Sequence, residues 1–113
     1  MKYKVIKSSK IAEQDFGHIK VKQLLNQDGI DNISVAIVKI DGINKKVVNK
    51  RSDALYYVLK GNGSFNINGE TVSVSVGDLV FIPKGTAYFD KGNLTLLSFN
   101  NPRFDKKFVD YLN

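Results

Sequence analysis

The sequence predicts an all-β chain. Three observations carry that prediction: short runs in which β-branched residues alternate with polar ones, turn dipeptides that punctuate the runs, and almost no helical periodicity. Tyr3-Lys-Val-Ile, Ile19-Lys-Val-Lys, Ile33-Ser-Val-Ala-Ile-Val-Lys-Ile and Val72-Ser-Val-Ser-Val read as strands. Asp28-Gly29, Asp41-Gly42, Gly61-Asn62-Gly63 and Asn68-Gly69 separate such runs. The sharpest local signal is Asn68-Gly69, because Asn-Gly supplies the two positive φ angles of a type I′ hairpin. The spacing gives about ten short strands, as in a sandwich or barrel. Two stretches have some helical character. Residues 9–15 could form a turn with Ser9 as cap and Glu13 in its first turn. The tail Phe104-Asp-Lys-Lys-Phe-Val-Asp-Tyr reads as a short helix or an extended arm. Gly61-Asn62-Gly63 lacks the third glycine of a dinucleotide loop and leads into a strand, so it reads as a hairpin turn.

A chain of 113 residues is read as one domain, 1–113, able to bury about 65% of its unfolded surface around a single core. The absence of cysteine excludes disulfides, thiolate nucleophiles and Cys-ligated zinc. No apolar run reaches signal-peptide or membrane-spanning length, so no membrane partner is expected and a cytoplasmic location is. The net charge of +6 is uneven: residues 1–50 carry ten lysines against five acids, and the remainder seven basic residues against six acids. The early lysines stand singly between apolar residues, as on the solvent side of strands. Single-stranded nucleic-acid readers need aromatic stacking residues among the cations, and these scattered lysines read better as a solvated face, so no nucleic-acid partner is expected.

The run Gly77-Asp78-Leu-Val-Phe-Ile-Pro83-Lys84-Gly85-Thr-Ala-Tyr88 resembles the second signature motif of the cupin superfamily. Its mechanical parts are intact: Gly77 turns the chain into a strand, Asp78 can bond turn amides, and Pro83 with Gly85 ends the strand. Its metal-binding histidine is replaced by Tyr88. The resemblance implies a double-stranded β-helix, the jelly-roll barrel of RmlC-like cupins, with a core over about residues 34–102. The first motif of the family survives only as spacing from its closing glycine, Gly61. Its glutamate position falls on Ala54, and its histidines on Val47 and Asn49, or on Val48 and Lys50. Valine and alanine donate nothing, and lysine carries the wrong charge for a site that needs imidazoles and a carboxylate. The expectation is therefore no metal and no other cofactor. His18, the single histidine, lies outside both motifs and reads as a surface or edge residue, which counts against the His-based proton transfer of sugar epimerases of similar fold.

In the family the glutamate position points inward. Alternation then turns Ala54, Tyr56 and Val58 to the interior and Leu55, Tyr57 and Leu59 to the opposite face, while Tyr88 points inward. Candidate ligand-binding residues are Tyr56 and Tyr88 inside, with Asn49, Lys50 and Arg51 at the mouth to attract an anionic group. No residue is assigned a catalytic role, although Asp53 and Asp90 are placed near the mouth and Tyr88 as acid with Asp90 as base is a possible pair. Three readings of function stand. The first is a metal-free module that binds or senses a small molecule, anionic or sugar-like. The second is a metal-independent isomerase or lyase for a sugar or keto acid, and the third a closed interaction barrel without a ligand. The outward apolar residues Leu55, Tyr57 and Leu59 need a cover, so a homodimer is expected.

Overall fold

Turn residues set the strand boundaries in the computed structural model, which describes residues 3–112. Nine strands follow in chain order: β1 (Gln14–Asp15), β2 (Ile19–Gln27), β3 (Ile30–Ile43), β4 (Lys46–Asn49), β5 (Asp53–Ile67), β6 (Glu70–Ser75), β7 (Leu79–Ile82), β8 (Ala87–Asn101) and β9 (Val109–Leu112). All pairings are antiparallel, and they curl into one barrel-like sheet. Asn68 (φ 53°) and Gly69 (φ 85°) join β5 to β6 in a two-residue loop with Ile67 opposite Glu70, the I′ hairpin expected from the sequence. Gly77 (φ 93°) starts the turn into β7, and the Asp78 carboxylate accepts from the Ser75 amide at 2.8 Å.

Several local expectations are corrected. Among the described residues there is no α-helix, only 3-10 turns at Ser8–Lys10 and Lys106–Phe108. Lys7, not Ser9, precedes the first turn, no side chain caps it, and Gln14–Asp15 pairs with β2 instead of continuing a helix. The tail combines both readings, a single turn and then β9 laid against β4. Tyr3 to Ile6 is not a strand: among the described residues no strand pairs with it, and Tyr3 is 90% exposed. Alternation becomes a strand only where a neighbour completes the hydrogen bonds and one face is covered. Gly61-Asn62-Gly63 is not a hairpin but the interior of the 15-residue β5. There β5 passes so close to β8 that a Cβ on Gly61 or Gly63 would lie 1.8 Å from the Asn93 carbonyl oxygen or 2.1 Å from that of Lys91. Those glycines are required by backbone approach rather than by chain reversal.

Strand β8 is the spine, pairing with β3 on one side and β5 on the other. Its registers lay the inner wall out in rows. Val21, Val38, Leu96 and Val58 face one another across β2, β3, β8 and β5, and Ile40, Phe65, Val74 and Leu94 pack with Val58 and Leu96 to fill one end of the barrel. The next row is Gln23, Ala36, Ser98 and Tyr56, and beyond it Ser34, Asn100 and Ala54. The interior thus changes from apolar to polar over one step of two residues along β2, β5 and β8, and one step later along β3.

Candidate functional site

That change of polarity is the floor of a cavity of about 280 Å³ at the other end of the barrel. Its walls are Gln23, Ser34, Ser98 and Asn100 on one side and Tyr88, Asp90, Val47 and Asn49 on the other, with Tyr56 between them. Phe16, His18, Lys45, Phe104, Lys106 and Tyr111 surround the opening. Size and lining suit a small organic molecule, which needs apolar walls and a few placed polar groups.

Tyr56 reaches the cavity from β5 and Tyr88 from β8; their hydroxyls hydrogen-bond at 2.5 Å and their rings meet edge to face, 5.9 Å between centroids. The expected inward turn of Ala54, Tyr56 and Val58 is therefore observed, and the two phenols converge. Burial raises the pKa of both phenols, Tyr56 well above the ordinary value and Tyr88 to about 12. Both remain neutral hydroxyls across the physiological range, able to donate a hydrogen bond.

Two residues along β8 from Tyr88, and on the same face, stands Asp90. The sequence placed it at the mouth; it lies inside, 3% exposed. Its carboxylate Oδ1 accepts from the Asn44 side-chain amide at 2.9 Å. Burial pushes its pKa up to about 6, and the Asn44 hydrogen bond opposes that rise without cancelling it. The cavity therefore contains a carboxyl group that changes charge near neutral pH beside two hydroxyls that do not. Asp53, also placed at the mouth from sequence, accepts from the Lys84 amide at 2.9 Å and does not line the cavity.

Of the other expected ligand-binding residues, Asn49 lines the cavity wall, and its Oδ1 accepts from the amides of Arg51 and Ser52. Lys50 and Arg51 do not line it. Lys50 pairs with Asp110 at 3.4 Å, and Arg51 donates to the Arg103 carbonyl at 2.7 Å while stacking on Phe108, 4.4 Å from the ring centroid. The cations at the opening are Lys45 and Lys106. His18 is half-buried at the rim, its Nδ1 3.2 Å from the Phe16 carbonyl oxygen. Sequence reasoning passed over Gln23, Asn44, Ser98, Asn100 and Phe104. The signal for two of them was available: counting by twos along β8 from Tyr88 reaches Ser98 and Asn100.

The metal set of the fold family was tested against these donors. Val47, Asn49, Ala54 and Tyr88 offer no imidazole and no carboxylate, and Ala54 is packed in the apolar core. Among the described residues no three of His, Cys, Asp or Glu gather in one place. Tyr88 is held neutral, the opposite of what a metal ligand requires. The residues present do not fit a cupin metal centre.

A curled antiparallel sheet, filled with apolar side chains at one end and open onto polar ones at the other, forms a barrel with one end left as a cavity. Its fold is that of the cupin barrels, and residues 42–88 match the family model for the cupin domain. A relative in Aquifex aeolicus, itself uncharacterised, is 29% identical over 94 residues, 80% of this chain and 78% of the relative. Among solved structures, the Streptomyces nucleoside dehydratase Pac13 superposes with a TM-score of 0.88 at 23% identity, covering 100% of this chain and 92% of its own. KdgF from a Halomonas species gives 0.82 at 20% identity, covering 94% and 99%.

Proposed function

We propose that the protein binds a small hydroxylated molecule inside the barrel and acts on it by proton transfer, as a metal-independent lyase or isomerase. Asp90 carries the proposal. A buried carboxyl group with a pKa of about 6, lining an open cavity, is suited to general-base work near neutral pH. Asp90 takes the proton, and the neutral hydroxyls of Tyr56 and Tyr88 donate hydrogen bonds to the substrate oxygen that gains charge. The raised pKa values keep both tyrosines protonated and so unfit as bases, which leaves that part to Asp90 and agrees with Tyr88 as the acid that protonates the leaving oxygen. Support comes from Pac13, which dehydrates a nucleoside and whose variants were solved with uridine.

The test is a product screen by NMR over sugars, keto acids and nucleosides, following water loss or isomer formation, with Asp90→Asn and Tyr88→Phe as controls. Turnover that declines as pH drops through about 6 and vanishes in Asp90→Asn supports the proposal; turnover indifferent to Asp90→Asn refutes it. The second reading, a binding module without turnover, is favoured by the neutrality of the tyrosine pair. Saturable binding without any product would select it.

We also propose that the protein is a cytoplasmic homodimer of single-domain chains. Its outer face supports this pairing. Val35, Phe99, Leu55 and Phe81 form one cross-strand row on that face, and Ile37, Leu97, Tyr57 and Leu79 the next. Phe81 and Leu79 on the β7 edge are 57% and 61% exposed, whereas Val35 and Ile37 are half-buried. A two-fold axis between β5 and β8 sets the projecting edge of each copy against the recessed strip of the other, the self-complementary contact that a symmetric dimer needs. Lys39, Thr95 and Lys60 continue the grid as a polar border, matching the apolar centre and polar rim of protein interfaces.

A further inference from the structure

The inner wall opposite Asp90 contains polar groups that proton transfer does not use. Gln23 on β2 lies beside Ala36 on β3, and Ser34 on β3 lies beside Asn100 on β8. These four residues make a niche between two carboxamides, with a small side chain and a hydroxyl between them. The Gln23 Oε1 atom is buried and has no hydrogen-bond partner. Asn100 is also buried and lines the cavity. A buried carbonyl oxygen without a partner forfeits about 1–3 kcal/mol. Ser34 is committed elsewhere: its Oγ accepts from the Phe104 amide at 2.9 Å, which anchors Phe104 beside the niche, and the Phe104 carbonyl accepts from Asn26 at 3.0 Å. Phe104 also lines the cavity.

We infer that this niche is a subsite for a planar nitrogen heterocycle with an amide or imide edge, whose N–H and C=O groups pair with Gln23 and Asn100 while its face packs on Phe104. A carboxamide offers one acceptor and two donors, so two of them read an edge on which acceptors and donors alternate. A neutral niche walled by an aromatic ring favours an uncharged flat ring over a carboxylate or a phosphate. The inference rests on the cavity's being a small-molecule site. It adds that the substrate combines such a ring with the hydroxylated part that faces Tyr56, Tyr88 and Asp90, as a nucleoside does.

The experiment is ligand-observed NMR titration of the protein with uridine, 3-methyluridine and ribose, in wild type and in Gln23→Leu. Uridine should bind, and 3-methyluridine, which lacks the imide N–H, should bind at least about tenfold more weakly, one lost hydrogen bond to a buried partner. Ribose should bind more weakly still. Gln23→Leu should lower uridine affinity by a similar factor and leave ribose affinity and the melting temperature unchanged or raised, because it removes an unpartnered carbonyl oxygen. The inference is overturned if ribose or 3-methyluridine binds as well as uridine, if Gln23→Leu binds uridine normally, or if none of the three binds. Equal binding of ribose would leave the proton-transfer reading standing, since that reading depends on Asp90 and not on the niche.

Discussion

Replacing Asp90 with asparagine should stabilise the protein at neutral pH while abolishing its chemistry. The folded carboxyl group holds its proton up to a pKa of about 6, against 3.8 for an unperturbed aspartate. Folding therefore takes up a proton between those values, and stability falls as pH rises through that window until the full penalty is present above about pH 6. A shift of about two pKa units corresponds to about 3 kcal/mol. Asparagine keeps an oxygen to accept from Asn44, but its new amide N–H groups need partners, a cost of about 1 kcal/mol. The expected gain is thus about 2 kcal/mol near pH 7.5, and close to zero near pH 4, where wild-type Asp90 is largely protonated. Urea unfolding followed by circular dichroism reads this directly, because with a slope of 1–3 kcal/mol per molar the midpoint should rise by about 1 M near pH 7.5. An Asp90→Asn protein that is equally destabilised at both pH values would refute the reasoning, since an effect independent of pH means that folding does not shift the Asp90 pKa.

Three further outcomes are expected. Gly63→Ala should destabilise by more than about 3 kcal/mol or prevent folding, because its Cβ would meet the Lys91 carbonyl oxygen; a normal melting temperature would show that β5 and β8 do not approach as described. Tyr88→Phe should cost about 1 kcal/mol of stability through the lost bond to Tyr56 and about 10²-fold in turnover, and an unchanged rate would remove the pair from the chemistry. Leu79→Glu combined with Phe81→Glu should convert the dimer into a folded monomer in sedimentation equilibrium. A wild type that sediments as a monomer, or a double variant that remains dimeric, would reject the outer face as the interface.

The mechanical part of the site was legible in the sequence because turn chemistry is local. Gly77, Asp78, Asn68 and Gly69 act within four residues of themselves, and each does what its type allows. The inward direction of Tyr56 and Tyr88 followed from strand alternation. Long-range approach was not legible: Gly61 and Gly63 look like turn residues until β8, about 30 positions away in the chain, is laid against them. Asp90 was misplaced for a related reason. Its distance from Tyr88 is fixed by the strand, but its depth depends on β4 and Asn44 closing over it. Lys50 and Arg51 were drawn to the opening by proximity in sequence, whereas the returning tail supplies Asp110, Phe108 and the Arg103 carbonyl as their partners. Gln23 and Asn100 carry no motif, and their pairing into a niche follows only from the registers of β2, β3 and β8.

Asp90 is the central claim, and its ionisation can be observed alone. With ¹³C-labelled aspartate, the Asp90 side-chain carboxyl resonance, assigned by its loss in Asp90→Asn, can be followed across the acidic and neutral range. A midpoint near 6, with the resonance perturbed when a ligand enters the barrel, is the expected result. A midpoint near the ordinary 3.8 would mean a solvated or charge-compensated carboxylate and would contradict its role as the base.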